Sequence, residues 1–251
     1  MHGWGIWQIA RIGFAIFLVV VCPFLDLPAV RRLRANTTSA GRLKFYRTGV
    51  ASLIVMGLFG WWLMVHTGGQ WLTLPATHTG IFGLVWFRAG LAVIMVAFFS
   101  LALLPGVATL TNARKRAAYT KAVAKSGLEF MMPRGSLERK WWFGLSVAAG
   151  IFEEVIFRGF LLQFARLELG LGLLLALLLV SVVFGWNHLY QGTSGIVKSG
   201  VTGLAMGIVA VLSGGLLLPM LLHAAIDVQI LLMYRPEESE TSGAGGETAT
   251  S

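Results

Sequence analysis

WFGLSVAAGIFEEVIFRGFLLQF, residues Trp142 to Phe164, is an apolar run broken only by Glu153, Glu154 and Arg158. A hydrocarbon core of about 30 Å is crossed by roughly 20 residues of α-helix. Within lipid each unsatisfied backbone group costs several kcal/mol, so such a run must be helical. Its reading sets that of the chain. Further apolar runs occur at Ile6 to Leu25, Phe45 to Val65, Ile81 to Leu104, Leu169 to Phe184, Val197 to Leu212 and Leu216 to Tyr234. The expected fold is all-α: a polytopic membrane helix bundle of about seven transmembrane helices, with a catalytic cavity formed by the last four.

Composition agrees. The 251 residues are 56% hydrophobic and 12% charged, where soluble domains carry about 25% charged residues; mean hydropathy is +0.75. The formal net charge is +9, with most Lys and Arg between Arg31 and Arg47 and between Arg114 and Lys140. These clusters lie between apolar runs without a recognition fold, which argues against nucleic acid. Cytoplasmic loops are enriched in Lys and Arg. The linkers Asp26 to Lys44 and Gly106 to Lys140 are therefore expected on the cytoplasmic side of the cell membrane, and the uncharged linker Thr67 to Gly80 on the outer side.

Three regions are expected: residues 1–140 as three N-terminal spans with basic linkers, 141–234 as the catalytic helical core, and 235–251 as a polar, disordered tail. The first run lacks a small-x-small cleavage site and reads as a retained span. The single cysteine, Cys22, allows no disulfide pair and no cysteine-based metal cluster. The many glycines of the later spans read as packing residues, because small side chains let helices approach closely in lipid; none is assigned to a site.

Ionisable groups inside spans carry the chemistry. A charge at mid-bilayer costs about 2.5 to 3.5 kcal/mol, so Glu153, Glu154 and Arg158 need compensation. Residues four apart lie on one helix face, so Arg158 can pair with Glu154. Glu153, about 100° round the helix, is left to face a cavity as a general base. The fifth run ends in Phe184-Gly-Trp-Asn-His188, and the seventh holds His223 and Asp227, again four apart. Because lipid penalises all six groups, Glu153, Glu154, Arg158, His188, His223 and Asp227 are expected to converge in the bundle interior.

A carboxylate and an imidazole can take a proton from water while other donors hold the oxyanion formed at a carbonyl. That points to amide hydrolysis without a covalent intermediate; no Gly-x-Ser-x-Gly elbow occurs, and Cys22 is distant in sequence. Two His and a Glu are also plausible zinc ligands, although there is no His-Glu-x-x-His pair, so zinc stays open at this point. Two non-proteolytic readings stand beside this one. Buried charges can simply hold together an immunity or scaffold protein, and intramembrane Glu, His and Asp also build proton relays in transporters.

The residues resemble the CPBP family of intramembrane proteases, which includes the CAAX-processing Rce1 enzymes and bacteriocin-processing relatives. Glu-Glu-x-x-x-Arg falls on Glu153, Glu154 and Arg158; Phe-x-x-x-His on Phe184 and His188; His-x-x-x-Asn/Asp on His223 and Asp227. The resemblance covers roughly Trp142 to Tyr234. It implies glutamate-type catalysis with no cofactor or metal, and a membrane-associated protein or peptide as substrate. It further implies that Glu153 with His188 activates water, that Glu154 and Arg158 support the site, and that His223 with Asp227 forms the oxyanion side. Asp227 stands where the Rce1 branch usually has Asn, and a carboxylate cannot donate unless protonated. Asp227 is therefore expected to orient His223 by a hydrogen bond along the helix. The fourth helix is expected to start beyond the bilayer core, with Trp141 and Trp142 at the interface.

Overall fold

The computed structural model describes residues 5–66 and 80–236. Residues 67–79 of the uncharged linker and the tail Glu237 to Ser251 lie outside the described residues. Among the described residues there are eight helices and no β-strand. They are α1 (Ile6–Ala35), α2 (Ser39–Val65), α3 (Val85–Thr111), α4 (Ala113–Ser126), α5 (136–167), α6 (Leu173–Trp186), α7 (Gly192–Ser213) and α8 (Leu217–Val228, continued by Ile230–Met233). All but α4 correspond to the seven apolar runs.

The 18-residue window that best marks α3 as a span has mean hydropathy 2.5, yet only 11% of it is buried inside the protein. Val93, Val96, Leu101 and Leu104 point outward. In water so much exposed apolar surface would be a liability; in lipid it is the expected outer face. This is a helical membrane bundle and an integral membrane protein.

Helix ends follow local chemistry. Thr38 caps α2 by accepting from the Gly41 backbone N–H at 3.2 Å. The Asn112 side chain caps α4, accepting from Lys115 N–H at 3.1 Å, and Gly127 ends it at φ 70°. Helix α4 carries Arg114, Lys115, Lys121 and Lys125 on exposed positions. It packs beside the residues that follow α8, where Thr120 accepts from Arg235 N–H at 3.3 Å and donates to the Arg235 carbonyl at 3.1 Å. Helix α5 would measure about 48 Å at ~1.5 Å per residue, longer than the ~30 Å hydrocarbon core. Its first turns, with Glu138, Arg139 and Lys140, thus project beyond the core at the same basic end.

A first apolar cluster joins Phe14 and Leu18 of α1 and Leu63 of α2 to Ile156 and Phe160 of α5, Val180 and Phe184 of α6, and Val211 of α7. The N-terminal spans and the C-terminal helices therefore share one core. A second cluster, at the basic end, surrounds Tyr46, Trp142 and Tyr234. Beside it the Arg42 guanidinium grips Glu138 through two hydrogen bonds of 2.8 and 3.0 Å, and Arg134 N–H adds a third at 2.8 Å. Burial alone raises the Glu138 carboxyl, but hydrogen bonds from Arg42, Ser39 and the Arg134 backbone outweigh it and bring it from 4.5 down to about 2.

Candidate active site

Helix α5 delivers Glu153 and Glu154 at the end of its regular part and then widens into a π-helical turn, Val155–Leu161, that holds Arg158. Such turns are rare and concentrate at functional sites. Despite the wider turn, Arg158 Nη1 donates to Glu154 Oε1 at 2.9 Å, with both side chains almost wholly enclosed. Its Nη2 donates to the Gly203 carbonyl of α7 at 2.7 Å, and the guanidinium sits 4.6 Å over the Phe184 ring of α6. The charge that lipid would reject is thus met by one carboxylate, one carbonyl and one aromatic face.

The same Oε1 of Glu154 receives His223 Nδ1 at 2.9 Å. A carboxylate can only accept, so Nδ1 carries the hydrogen and the imidazole has a fixed orientation. Its Nε2 then faces Glu153 Oε2 and Asp227 Oδ2, each at 3.8 Å. Both are beyond hydrogen-bond length. The hydrogen bond expected from Asp227 to His223 is therefore not formed; Glu154, on a different helix, holds the ring instead. The Oε2 atoms of Glu153 and Glu154 are both enclosed without a hydrogen-bond partner; the two differ in that Glu154 is held through Oε1 by Arg158 and His223, whereas no hydrogen bond among the described residues holds Glu153. The two adjacent carboxylates differ as their angular separation on the helix suggests.

His188 closes the last turn of α6. Its Nδ1 lies 2.8 Å from the Phe184 carbonyl, which can only accept, so Nε2 is left with its lone pair. No hydrogen bond or ion pair links it to Glu153 among the described residues. It joins the other five through Phe184, whose ring lies 4.8 Å from that of His188 and 6.0 Å from that of His223. Asn187, just before it, donates to the Leu18 carbonyl in a π-helical turn of α1 at 3.1 Å, tying the end of α6 to the first span.

Several contributors carried little signal in the sequence. Asp26, at the polar edge of the first run, lies within electrostatic reach of Glu153 and His188. Tyr190 stacks on His188 with ring centroids 6.0 Å apart. Gly150, read only as a packing residue, stands where a Cβ would come within 2.6 Å of the Ala224 backbone nitrogen, next to His223. Among the described residues no three His, Cys, Asp or Glu side chains are grouped so as to hold a metal ion.

Residues 136–229 match the family model described as type II CAAX prenyl endopeptidase Rce1-like. No curated protein and no solved structure matches the chain. The matched stretch runs from the start of α5 into α8 and contains all six charged and imidazole groups above, while α1 to α4 lie outside it. Over residues 136–229 this integral membrane protein is thus similar to the type II CAAX prenyl endopeptidase Rce1-like family.

Proposed function

We propose that the protein is an intramembrane endopeptidase that hydrolyses a peptide bond of a membrane-associated, CAAX-type protein or peptide. The observation that carries this reading is the division of labour between neighbouring carboxylates. Glu154 is held through Oε1 by Arg158 and His223, while Glu153, held by no hydrogen bond among the described residues, lies with Oε2 3.8 Å from an imidazole nitrogen.

In this reading a water lies against Glu153, with His188 Nε2 as a second acceptor. As the water oxygen attacks the scissile carbonyl carbon, its proton passes to Glu153 and the C=O electron pair moves onto oxygen. His223, protonated at both nitrogens, keeps Nδ1 on Glu154 and turns Nε2–H towards the oxyanion. When the C–N bond breaks, the proton on Glu153 goes to the departing amine, so water and peptide become an acid and an amine. General acid–base groups of this kind contribute about 10²- to 10⁴-fold each, and a preorganised oxyanion donor about 10²- to 10³-fold. The basic end faces the cytoplasm, consistent with enrichment of Lys and Arg on that side.

The nucleophile in this reading is a water held by side chains. His223 Nδ1 is taken by Glu154, and its Nε2 is as far from Glu153 as from Asp227. The test is cleavage of a farnesylated CAAX peptide by the purified protein in liposomes, with and without a chelator. Cleavage that survives chelation is expected; loss on chelation with restoration by zinc would replace the glutamate mechanism by a metal one, and no cleavage at all would sink the enzyme reading.

A further inference from the structure

The oxyanion side of this mechanism is short of donors. Asp227 and Glu153, which flank His223 Nε2, only accept as carboxylates. Arg158 spends Nη1 on Glu154 and Nη2 on the Gly203 carbonyl and keeps an enclosed, unpartnered Nε–H, and His188 Nδ1 is taken by the Phe184 carbonyl. His223 Nε2 is the one of these nitrogens that faces Glu153 and Asp227 within 4 Å, whereas a tetrahedral oxyanion is best held by more than one donor.

Tyr190 can supply another. It lies on the short turn Leu189–Gln191 that follows His188, and its ring stacks on the imidazole at an interplanar angle of 29°. The ring also packs against the basic-end cluster around Tyr46 and Trp142, so its position is fixed from two sides. Its hydroxyl oxygen accepts from Gln191 Nε2 at 3.0 Å. Among the described residues that hydroxyl donates to no protein group, so its own hydrogen is available. The charged groups whose fields reach it are Glu153 of α5, Asp26 of α1 and Asp227 of α8. The phenol therefore sits against a site imidazole, with an acceptor bond that aims it and a hydrogen to give.

We propose that Tyr190 is a catalytic residue whose hydroxyl donates a hydrogen bond to the oxyanion, supplying the donor that Asp227 as a carboxylate cannot. No proton is transferred: the O–H bond stays intact, and the interaction strengthens as negative charge grows on the carbonyl oxygen. The inference rests on the endopeptidase reading and adds a residue to it.

The experiment compares wild type, Tyr190→Phe, and Tyr190→Phe with Asp227→Asn in liposomes. One probe is a farnesylated CAAX peptide; the other is the matching phosphinate, whose anionic oxygen mimics the oxyanion. Phe keeps the ring stacked on His188 and deletes only the hydroxyl. We expect kcat to fall about 10²-fold with KM nearly constant, phosphinate affinity to fall in parallel, and Asp227→Asn to recover part of the loss by restoring an N–H donor. A Tyr190→Phe enzyme within about threefold of wild type in kcat would overturn the assignment. So would an equal loss of affinity for phosphinate and peptide, which would mark a packing role. Wild-type protein that neither cleaves the peptide nor prefers the phosphinate would overturn the parent reading as well.

Discussion

Glu154 carries more of the site's order than its neighbour. One oxygen, Oε1, holds the Arg158 guanidinium and the His223 imidazole, so the support for both passes through a single atom. Glu154→Gln leaves an enclosed guanidinium without its counter-charge, and breaking a buried pair in this way costs about 3 to 5 kcal/mol. Thermal unfolding in detergent is expected to shift down strongly, with peptidase activity lost. Asp227→Asn should be mild by contrast, because His223 keeps its Glu154 bond and Asp227 stands 3.8 Å off. Activity within about threefold of wild type is expected, and a large loss would restore an orienting role to Asp227. The six charged and imidazole groups were legible because ionisable groups in lipid are expensive and must share the bundle interior. Tyr190 and Asp26 were not. Tyrosine is ordinary at membrane interfaces, and Asp26 sits at the edge of an apolar run, where it reads as linker.

Among the elements, the crossing of α5 and α8 decides whether the site exists. Gly150 meets the Ala224 backbone so closely that any Cβ would lie 2.6 Å from its nitrogen. Gly150→Val must push the helices apart, drawing Glu153 and Glu154 away from His223; overpacking of this kind costs about 1 to 3 kcal/mol. Lower thermal stability together with lost activity is expected, and a Gly150→Val protein that cleaves like wild type would show that the two helices are not in such close contact. Hydropathy located seven helices but not their ends, and four of them are long and apolar enough to cross a membrane. Helix α1 runs on to Ala35 through Asp26, Arg31 and Arg32, because a helix continues past the hydrocarbon wherever its backbone bonds can be kept. Helix α4 was hidden in a basic linker, since a polar helix lying outside the bilayer adds nothing to an apolar-run pattern. The π-helical turns of α1 and α5 were invisible, because a single widened turn barely changes the apolar content of a span.

At the scale of the whole molecule, the three N-terminal spans are joined to the family-matched segment by the shared apolar core and by the Arg42–Glu138 pair between α2 and α5. The Glu138 carboxyl lies at about 2, below its usual 4.5, so ionised Glu138 favours the folded state. The sign follows: its contribution is complete above the unfolded value and is lost as pH falls through the folded one. The stability difference between wild type and Glu138→Gln, from chemical denaturation in detergent, should stay constant above about pH 5 and shrink towards zero as pH falls to about 2. A difference that grows on acidification would contradict the pairing. The central claim is that Glu153 activates the water. Its most direct test is the single-turnover rate of farnesylated CAAX-peptide cleavage by wild type and Glu153→Gln in the same liposomes, with thermal unfolding recorded alongside. A fall of about 10³-fold or more at unchanged unfolding temperature is predicted; a folded Glu153→Gln protein cleaving within about tenfold of wild type would contradict it.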